Sequence, residues 1–292
     1  MDDKALAVVE LHTGLYAADT GLPMAPPRLH QSIATVLVNR SPLHAWHKAF
    51  VPQIKEYCEV TTRGQIAHAL LLGGDRIHTI EAIDWRTNAA KSERDAAIAA
   101  GKLPILSHKL ADAYDLKAQV ITELGKRNIF LGGQNEVVAI WQSPTGIWCE
   151  GQLDHFIMDS GTIYDFKFCA SAAKKVCENK FIEYGYDIQH AAYVQAVETI
   201  FPPLAGRVTM KYIFVENDPP NAIRVMPVGG TMKTSGQWRW GKACEVWANC
   251  LARYGPKTPW PAYPDDNEPA ECPAWALNAQ IADVHLEEGG NL

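Results

Sequence analysis

Near its middle the chain has three short β-rich runs separated by tight turns, and groups of helical segments lie before and after them. The runs are Glu136–Trp141, Ile147–Leu153 and Thr162–Phe168, and Gly146 and Gly161 lie in the turns between them. Short turns join strands that are neighbours in a sheet. The order of helices, a meander of strands and further helices therefore predicts an α/β domain with a mixed central sheet flanked by helices.

Apolar periodicity and capping residues predict the remaining elements. The predicted helices are Leu29–Asn39, Pro42–Phe50, Arg63–Leu72, Ser92–Ala100, Ser107–Leu124, Ala170–Tyr184, Tyr186–Ile200 and Ser235–Tyr254, and the further predicted strands are Arg76–Ile83, Arg207–Glu216 and Ala222–Pro227. We accordingly divide the chain into a loosely structured lead-in (1–27), one domain (28–255) and a proline-rich, acidic C-terminal tail (256–292).

Composition and charge limit the class of protein. Of the 292 residues 47% are hydrophobic and 21% charged, which is ordinary for a globular protein. The acidic N-terminus lacks the apolar region of a secretory signal, and no apolar run approaches the ~20 residues of a membrane span. The seven cysteines are scattered, without a Cys-x-x-Cys pair, as in reduced cytoplasmic proteins. A net charge of −6 disfavours a surface that is basic throughout, but it allows a local basic channel.

Two acidic residues and a lysine carry the first chemical signal. Asp154 ends one predicted strand, and Asp165 and Lys167 lie two residues apart on the next, so their side chains share a face. Two carboxylates brought together by a tight turn suit a hard divalent cation such as Mg²⁺. A lysine beside such a site can orient or deprotonate the attacking water and offset developing charge. By itself the pattern is equally typical of a strand end with solvated side chains.

Two helices add further candidates. His68 lies on a mostly apolar helix, where a histidine is more often structural than a ligand. Gln189 and Tyr193 are four residues apart on a helix and therefore share a face, a spacing that is also common in half-buried helices.

The order of these residues resembles a known superfamily. The sequence presents Gly-x-x-x-His ending at His68, Gly-x-x-Asp ending at Asp154, Asp-x-Lys ending at Lys167 and Gln-x-x-x-Tyr ending at Tyr193. This order resembles the RecB-like branch of the PD-(D/E)xK nucleases, and most closely the exonuclease VIII (RecE-type) family of phages and prophages. Local stretches strengthen the resemblance, which covers roughly Leu29 to Glu216: Ser32–Phe50, Glu136–Asp154 and Tyr184–Gln189.

The resemblance implies a role for each residue. His68, Asp154 and Asp165 would bind the metal together with the backbone carbonyl of Phe166, and Lys167 would be the catalytic lysine. Gln189 and Tyr193 would contact DNA phosphate or brace Lys167, and Glu136 would line the cleft. Lys174, Lys175 and Lys180 follow on a predicted helix, where they meet either a phosphate backbone or only solvent. The sequence departs from the family pattern at three places: Leu153 stands for the usual proline, Asp165 for the more frequent Glu, and Phe168-Cys169 for small or hydroxylated residues.

The resemblance also implies an activity. It predicts a Mg²⁺- or Mn²⁺-dependent exonuclease that degrades duplex DNA from an end, 5′→3′, as a ring-shaped homo-oligomer in the cytoplasm of a bacterial host. The single strand produced would pass to an annealing protein for recombination. Two alternatives stay open: a structure-specific endonuclease or single-strand nuclease, and a non-catalytic DNA-binding module. Cys244, Cys250 and Cys272 lack the spacing of the iron–sulfur ligands found in some relatives, so no such cluster is expected.

Overall fold

The computed structural model describes residues 12–17, 26–52, 59–73, 76–129, 132–264, 269–272 and 274, with side chains omitted for 59–63. Internal contacts divide the chain into two units, Met1–Trp260 and Pro261–Leu292. The described residues 261–264 and 269–272 of the second unit form neither helix nor strand. The division into lead-in, domain and tail stays a prediction.

The first unit is an α/β fold, as predicted. Its strands are β1 Gly14–Ala17, β2 Leu29–His30, β3 Ile77–Ile80, β4 Leu103–Leu106, β5 Gln134–Gln142, β6 Trp148–Ile157, β7 Thr162–Cys169, β8 Thr209–Glu216 and β9 Ile223–Pro227. Its helices are α1 Gln31–Asn39, α2 Pro42–Phe50, α3 Glu59–Leu72, α4 Asn88–Ala99, α5 Ser107–Gly125, α6 Lys174–Glu183, α7 Tyr186–Ile200 and α8 Gly230–Tyr254, with a 3-10 turn at Pro202–Leu204. None of the helices in the described ranges is long and apolar enough to cross a membrane.

The central sheet has the order β1-β5-β6-β7-β8-β9 and is mixed, because β7 and β8 are parallel while the other pairs along this path are antiparallel. The two-residue strand β2 joins β6 in parallel at Cys149 and Glu150. A separate parallel pair, β3 and β4, lies next to α3, α4 and α5. One face of the sheet carries the core shared with α1, α7 and α8, and the other face packs against α3 and α5.

The neighbouring strands β6 and β7 separate near the middle of the sheet. They pair only between His155–Ile157 and Thr162–Tyr164. Beyond this point β7 stays paired with β8, whereas β6 stays paired with β5 and also pairs with β2. The sheet therefore forks, and the fork begins where Asp154 and Asp165 lie.

Several elements differ from the sequence predictions. Helix α4 begins at Asn88, four residues earlier than predicted, because the Thr87 hydroxyl accepts a hydrogen bond from the amide of Ala90. Helix α6 begins at Lys174 instead of Ala170, since the amide of Ala172 is bound to Glu216 Oε1 at 2.8 Å. The short strands β1, β2 and β4 were not predicted, and β1 lies within the stretch predicted to be a loosely structured lead-in. Strands of two to four residues carry too little alternation to stand out from sequence alone.

Candidate active site

Three strands and two helices bring most of the predicted site residues together at the fork. Asp154 on β6 and Asp165 on β7 are neighbours because the tight turn between the strands starts the antiparallel pair. The amide of Phe166 donates a 2.8 Å hydrogen bond to Asp154 Oδ2, so a side chain of one strand bridges to the backbone of the other. Helix α3 places His68 against the same carboxylate, with its Nε2 3.0 Å from Asp154 Oδ2.

His68, Glu136 and Asp154 form a compact group with suitable ligand atoms within 4.8 Å of one another. The Nδ1 atom of His68 is 3.3 Å from Glu136 Oε1. Glu136 has a left-handed backbone with φ of 53°, which is rare for a residue with a side chain, and it lies opposite Asp154 between the pairs Asn135–His155 and Val137–Leu153. Its other oxygen, Oε2, accepts a hydrogen bond from Gln152. Glu136 is thus closer to the centre of the site than a cleft-lining role would require.

Asp165 and Lys167 form a second, more deeply buried group. Lys167 Nζ is 2.5 Å from Asp165 Oδ1, and Asp165 is only 1% exposed. Burial raises the pKa of Asp165 to about 6 against the opposing charge of Lys167. Burial lowers the pKa of Lys167, but the charges of Asp165 and Asp154 outweigh it and raise that pKa above the usual value. Lys167 is therefore a fixed positive charge at neutral pH.

The charges of the first group compensate one another. Burial opposes the charge of His68, but the hydrogen bond and the charge of Asp154, together with Glu136, raise its pKa. Burial also opposes the charge of Asp154, yet the contacts with His68 and Lys167 and the amide of Phe166 lower its pKa. Burial raises the pKa of Glu136 although His68 opposes it. The pKa directions of His68 and Asp154 thus favour opposite charges on this pair, in the place where a cation is expected.

Gln189 and Tyr193 lie beneath the site on α7 and are both nearly buried. Gln189 Nε2 donates a 2.6 Å hydrogen bond to Asp165 Oδ2. This bond orients the carboxylate of Asp165, and it is not a bond to Lys167. Tyr193 packs under Gly151, where a Cβ atom would lie 2.5 Å from Tyr193 Cε1. This close approach explains the glycine in the Gly-x-x-Asp motif, since any side chain would displace the tyrosine.

Two tyrosines that the sequence analysis did not assign complete the surroundings of Lys167. The Nζ atom lies 4.7 Å from the ring of Tyr186 and 5.8 Å from the ring of Tyr212. Tyr212 donates a 2.6 Å hydrogen bond to the carbonyl of Tyr186, and the two rings are stacked at 5.5 Å. Aromatic faces attract a buried cation, so these rings hold the ammonium group in place. Tyr186 lies within the stretch that resembles the exonuclease family, but no spacing in the sequence points to Tyr212.

The predicted phosphate-binding lysines lie outside this group. Lys174 and Lys175 are exposed on the first turn of α6, and Lys174 Nζ is 3.7 Å from Glu178 Oε1. Lys180 is partly buried on the same helix. Their contact with DNA stays a prediction.

A family model and one solved structure agree with this fold. The model of a family described as a PDDEXK-like domain of unknown function (DUF3799) matches residues 50–252. A solved structure of the Eubacterium rectale protein named Putative exonuclease is similar with a TM-score of 0.52 and 14% identity, over 86% of this chain and 92% of that one. The phage related exonuclease from Haemophilus somnus 129PT gives a TM-score of 0.31 and 14% identity, over 64% of this chain and 94% of that one. No curated protein matches the sequence.

Proposed function

This chain belongs to the family of PDDEXK-like domains, and from that premise we propose that it is a metal-dependent nuclease that hydrolyses phosphodiester bonds in DNA. One observation carries the proposal: the pair of the half-buried Lys167 and the buried Asp165 lies at the fork of β6 and β7, beside a second group that contains His68 and Asp154. A domain that only binds DNA has no need for such a lysine–carboxylate pair next to a possible metal site.

The residues present fit a divalent cation. Glu136 Oε1 is buried and lies 3.3 Å from His68 Nδ1, yet it has no hydrogen bond from any described residue, so a cation would supply a direct partner. His68, Asp154 and Asp165 would hold Mg²⁺ or Mn²⁺, with the carbonyl of Phe166 as a further ligand and Glu136 close by. A bound ion of this kind polarises a phosphoryl oxygen and neutralises part of its charge.

The remaining residues position the reacting groups. In hydrolysis a bond forms between a water oxygen and phosphorus, and the ester bond to the leaving oxygen breaks; the attacking water gives up a proton to solvent, and the leaving oxygen takes one from solvent. Because Lys167 keeps its proton, it donates a hydrogen bond to the attacking water or to the phosphate and offsets the charge that develops there. Gln189 holds Asp165 in place, and Tyr186 and Tyr212 hold Lys167.

We further propose that the substrate is duplex DNA, digested 5′→3′ from an end to give single strand for recombination through an annealing protein. This part rests on the resemblance to exonuclease VIII. A chain with a net charge of −6 that stays on DNA through many cycles needs a concentrated basic channel, for which a closed homo-oligomeric ring is suited. Light scattering that shows a monomer with and without DNA would overturn the ring.

The test is a cleavage assay with Mg²⁺ on linear duplexes labelled at the 5′ or the 3′ end, beside a covalently closed circle. The proposal expects loss of label from linear DNA only, no reaction with chelator, and no reaction with Lys167→Ala. Cleavage of the circle would indicate an endonuclease instead. Absence of metal-dependent hydrolysis on duplex and single-stranded DNA would indicate a non-catalytic DNA-binding module.

A further inference from the structure

An exposed aromatic ring lies next to the candidate catalytic lysine. Tyr184, at the end of α6, is 50% exposed. Its ring centroid is 5.9 Å from that of Tyr186, and the ring of Tyr186 in turn lies 4.7 Å from Lys167 Nζ. The ring of Tyr186 therefore links Tyr184 to the ammonium group of Lys167, which would contact the scissile phosphate.

A lysine and a rigid turn accompany this ring. Lys180 lies one helical turn earlier, with its Nζ 5.8 Å from the centroid of Tyr184. The following residue, Gly185, has φ of 72°, and a Cβ atom there would lie 2.1 Å from Thr35 Oγ1 on α1. The backbone next to Tyr184 is thus fixed against α1, so the ring is presented from a rigid support.

From this arrangement we propose that Tyr184 and Lys180 form a stacking site for the nucleobase next to the scissile phosphate. The proposal rests on the proposed nuclease function and defines the substrate more closely. Aromatic side chains bind bases by stacking on their faces, and a neighbouring cation binds the phosphate backbone. The positive charges of Lys180 and Lys167 on either side of the tyrosine pair favour an anionic polymer over an apolar protein surface.

The stacking site selects a nucleotide whose base has an exposed face. Both faces of a base inside a duplex are covered by its neighbours, so an aromatic ring reaches a face only at an end, at a frayed pair or in a single-stranded overhang. The nucleotide that stacks on Tyr184 is therefore a terminal, frayed or overhanging one.

The experiment measures stacking directly. The full chain is titrated with Ca²⁺ and a DNA duplex that carries 2-aminopurine in the terminal nucleotide of a short overhang, because stacking quenches the fluorescence of this base. Variants are Tyr184→Ala, Tyr184→Phe and, as a matched control, Tyr114→Ala, since Tyr114 on α5 is exposed to a similar extent at 51%. Cleavage by the wild type with Mg²⁺ is measured on the same preparations.

We expect quenching in the wild type, Tyr184→Phe and Tyr114→Ala. In Tyr184→Ala we expect loss of quenching and roughly tenfold weaker binding of the overhang, the size of one lost stacking contact. Cleavage by the wild type together with unchanged quenching in Tyr184→Ala would overturn the stacking site alone. Absence of cleavage with Tyr184-dependent quenching would overturn the nuclease and leave base stacking supported, and no binding of the duplex at all would overturn both.

Discussion

At the scale of single residues, the site is a balance of opposite charges that are buried or partly buried. Asp154, Asp165 and Glu136 supply the negative side, and His68 and Lys167 supply the positive side at distances between 2.5 and 3.3 Å. Removing one partner of such a buried pair leaves the other uncompensated, which is usually the larger cost. The effect of each substitution therefore includes the cost of the charged partner that remains uncompensated.

Lys167 and Asp165 should respond differently to removal. Lys167→Ala deletes a preorganised positive charge and should reduce the rate by on the order of 10²–10³ while it spares DNA binding. Asp165→Asn removes a negative ligand and should weaken both metal binding and cleavage. Lys167 also opposes the rise in the pKa of Asp165, so the comparison belongs at pH 8, well above the value of about 6.

Calorimetry with Ca²⁺ and a cleavage assay with Mg²⁺ would compare the two variants. A Lys167→Ala protein that cleaves at nearly the wild-type rate would contradict the assignment of the active site.

His68 should affect the metal requirement more than the fold. The side chain is only partly buried and contacts two carboxylates through its two nitrogens. His68→Ala should therefore raise the Mg²⁺ concentration needed for half-maximal cleavage while the melting temperature with Mg²⁺ moves little. A large loss of thermal stability with an unchanged Mg²⁺ requirement would assign His68 a structural role only.

At the scale of elements, helix α8 fixes the start of α7 and with it the residues beneath the site. Arg239 on α8 donates from Nη1 to both carboxylate oxygens of Asp187 at 2.7 Å and from Nη2 to Asn39 Oδ1 at 2.6 Å. Gly236 lies one turn earlier, where a Cβ atom would be 2.1 Å from the carbonyl oxygen of Asp187. Because Gln189 follows Asp187 by two residues, this contact sets the position of the amide that holds Asp165.

Two glycines of α8 provide a matched test of this packing. Gly236→Ala would force the helices apart and should destabilise the protein by about 1–3 kcal/mol, because the opposing atoms belong to the backbone and have little freedom to move. Gly241→Ala faces open space on the same helix and should stabilise it by about 0.5–1 kcal/mol. Urea denaturation of both variants would show the difference, and equal midpoints would contradict the close contact.

At the scale of the whole molecule, one buried histidine makes global stability depend on pH. His190 on α7 is 5% exposed, and its Nδ1 has no hydrogen bond from any described residue. Burial, with the nearby charge of Lys233, lowers its pKa to about 4. Between about pH 6.5 and 4 the unfolded chain thus binds a proton that the folded protein does not, so this residue makes stability rise with pH through that window.

The expected size is about 2 kcal/mol of lost stability at pH 5 relative to pH 7.5 from this residue alone. His190→Met removes the titration and should flatten the pH dependence by that amount, as measured by denaturant unfolding at both pH values. Val176→Ala, at an exposed position on α6 without a titratable group, serves as the control and should leave the dependence unchanged. An identical slope in His190→Met and the wild type would contradict the prediction.

The sequence predicts the fold class and also which residues of the site lie close together, because several of them are close in sequence. Asp154, Asp165 and Lys167 lie on strands joined by one short turn, so spacing alone brings them together. The left-handed backbone of Glu136 and the stacked ring of Tyr212 depend on contacts between distant parts of the chain. The same holds for the pair Arg239–Asp187, whose members are 52 residues apart and carry no pattern that links them.

The bond between the Phe166 amide and Asp154 has a consequence for heat tolerance. At the fork, this carboxylate takes the place that a backbone carbonyl of β6 would have in a continuous ladder. Asp154→Ala would leave a buried amide without an acceptor, at a cost of about 1–3 kcal/mol, besides removing a partner of His68. Variants at Asp154 should therefore fail at lower temperatures than variants at Lys167, although both lose activity, and melting curves would separate the two. On warming, Asp154 variants would lose the folded protein itself, whereas Lys167 variants would lose only its chemistry.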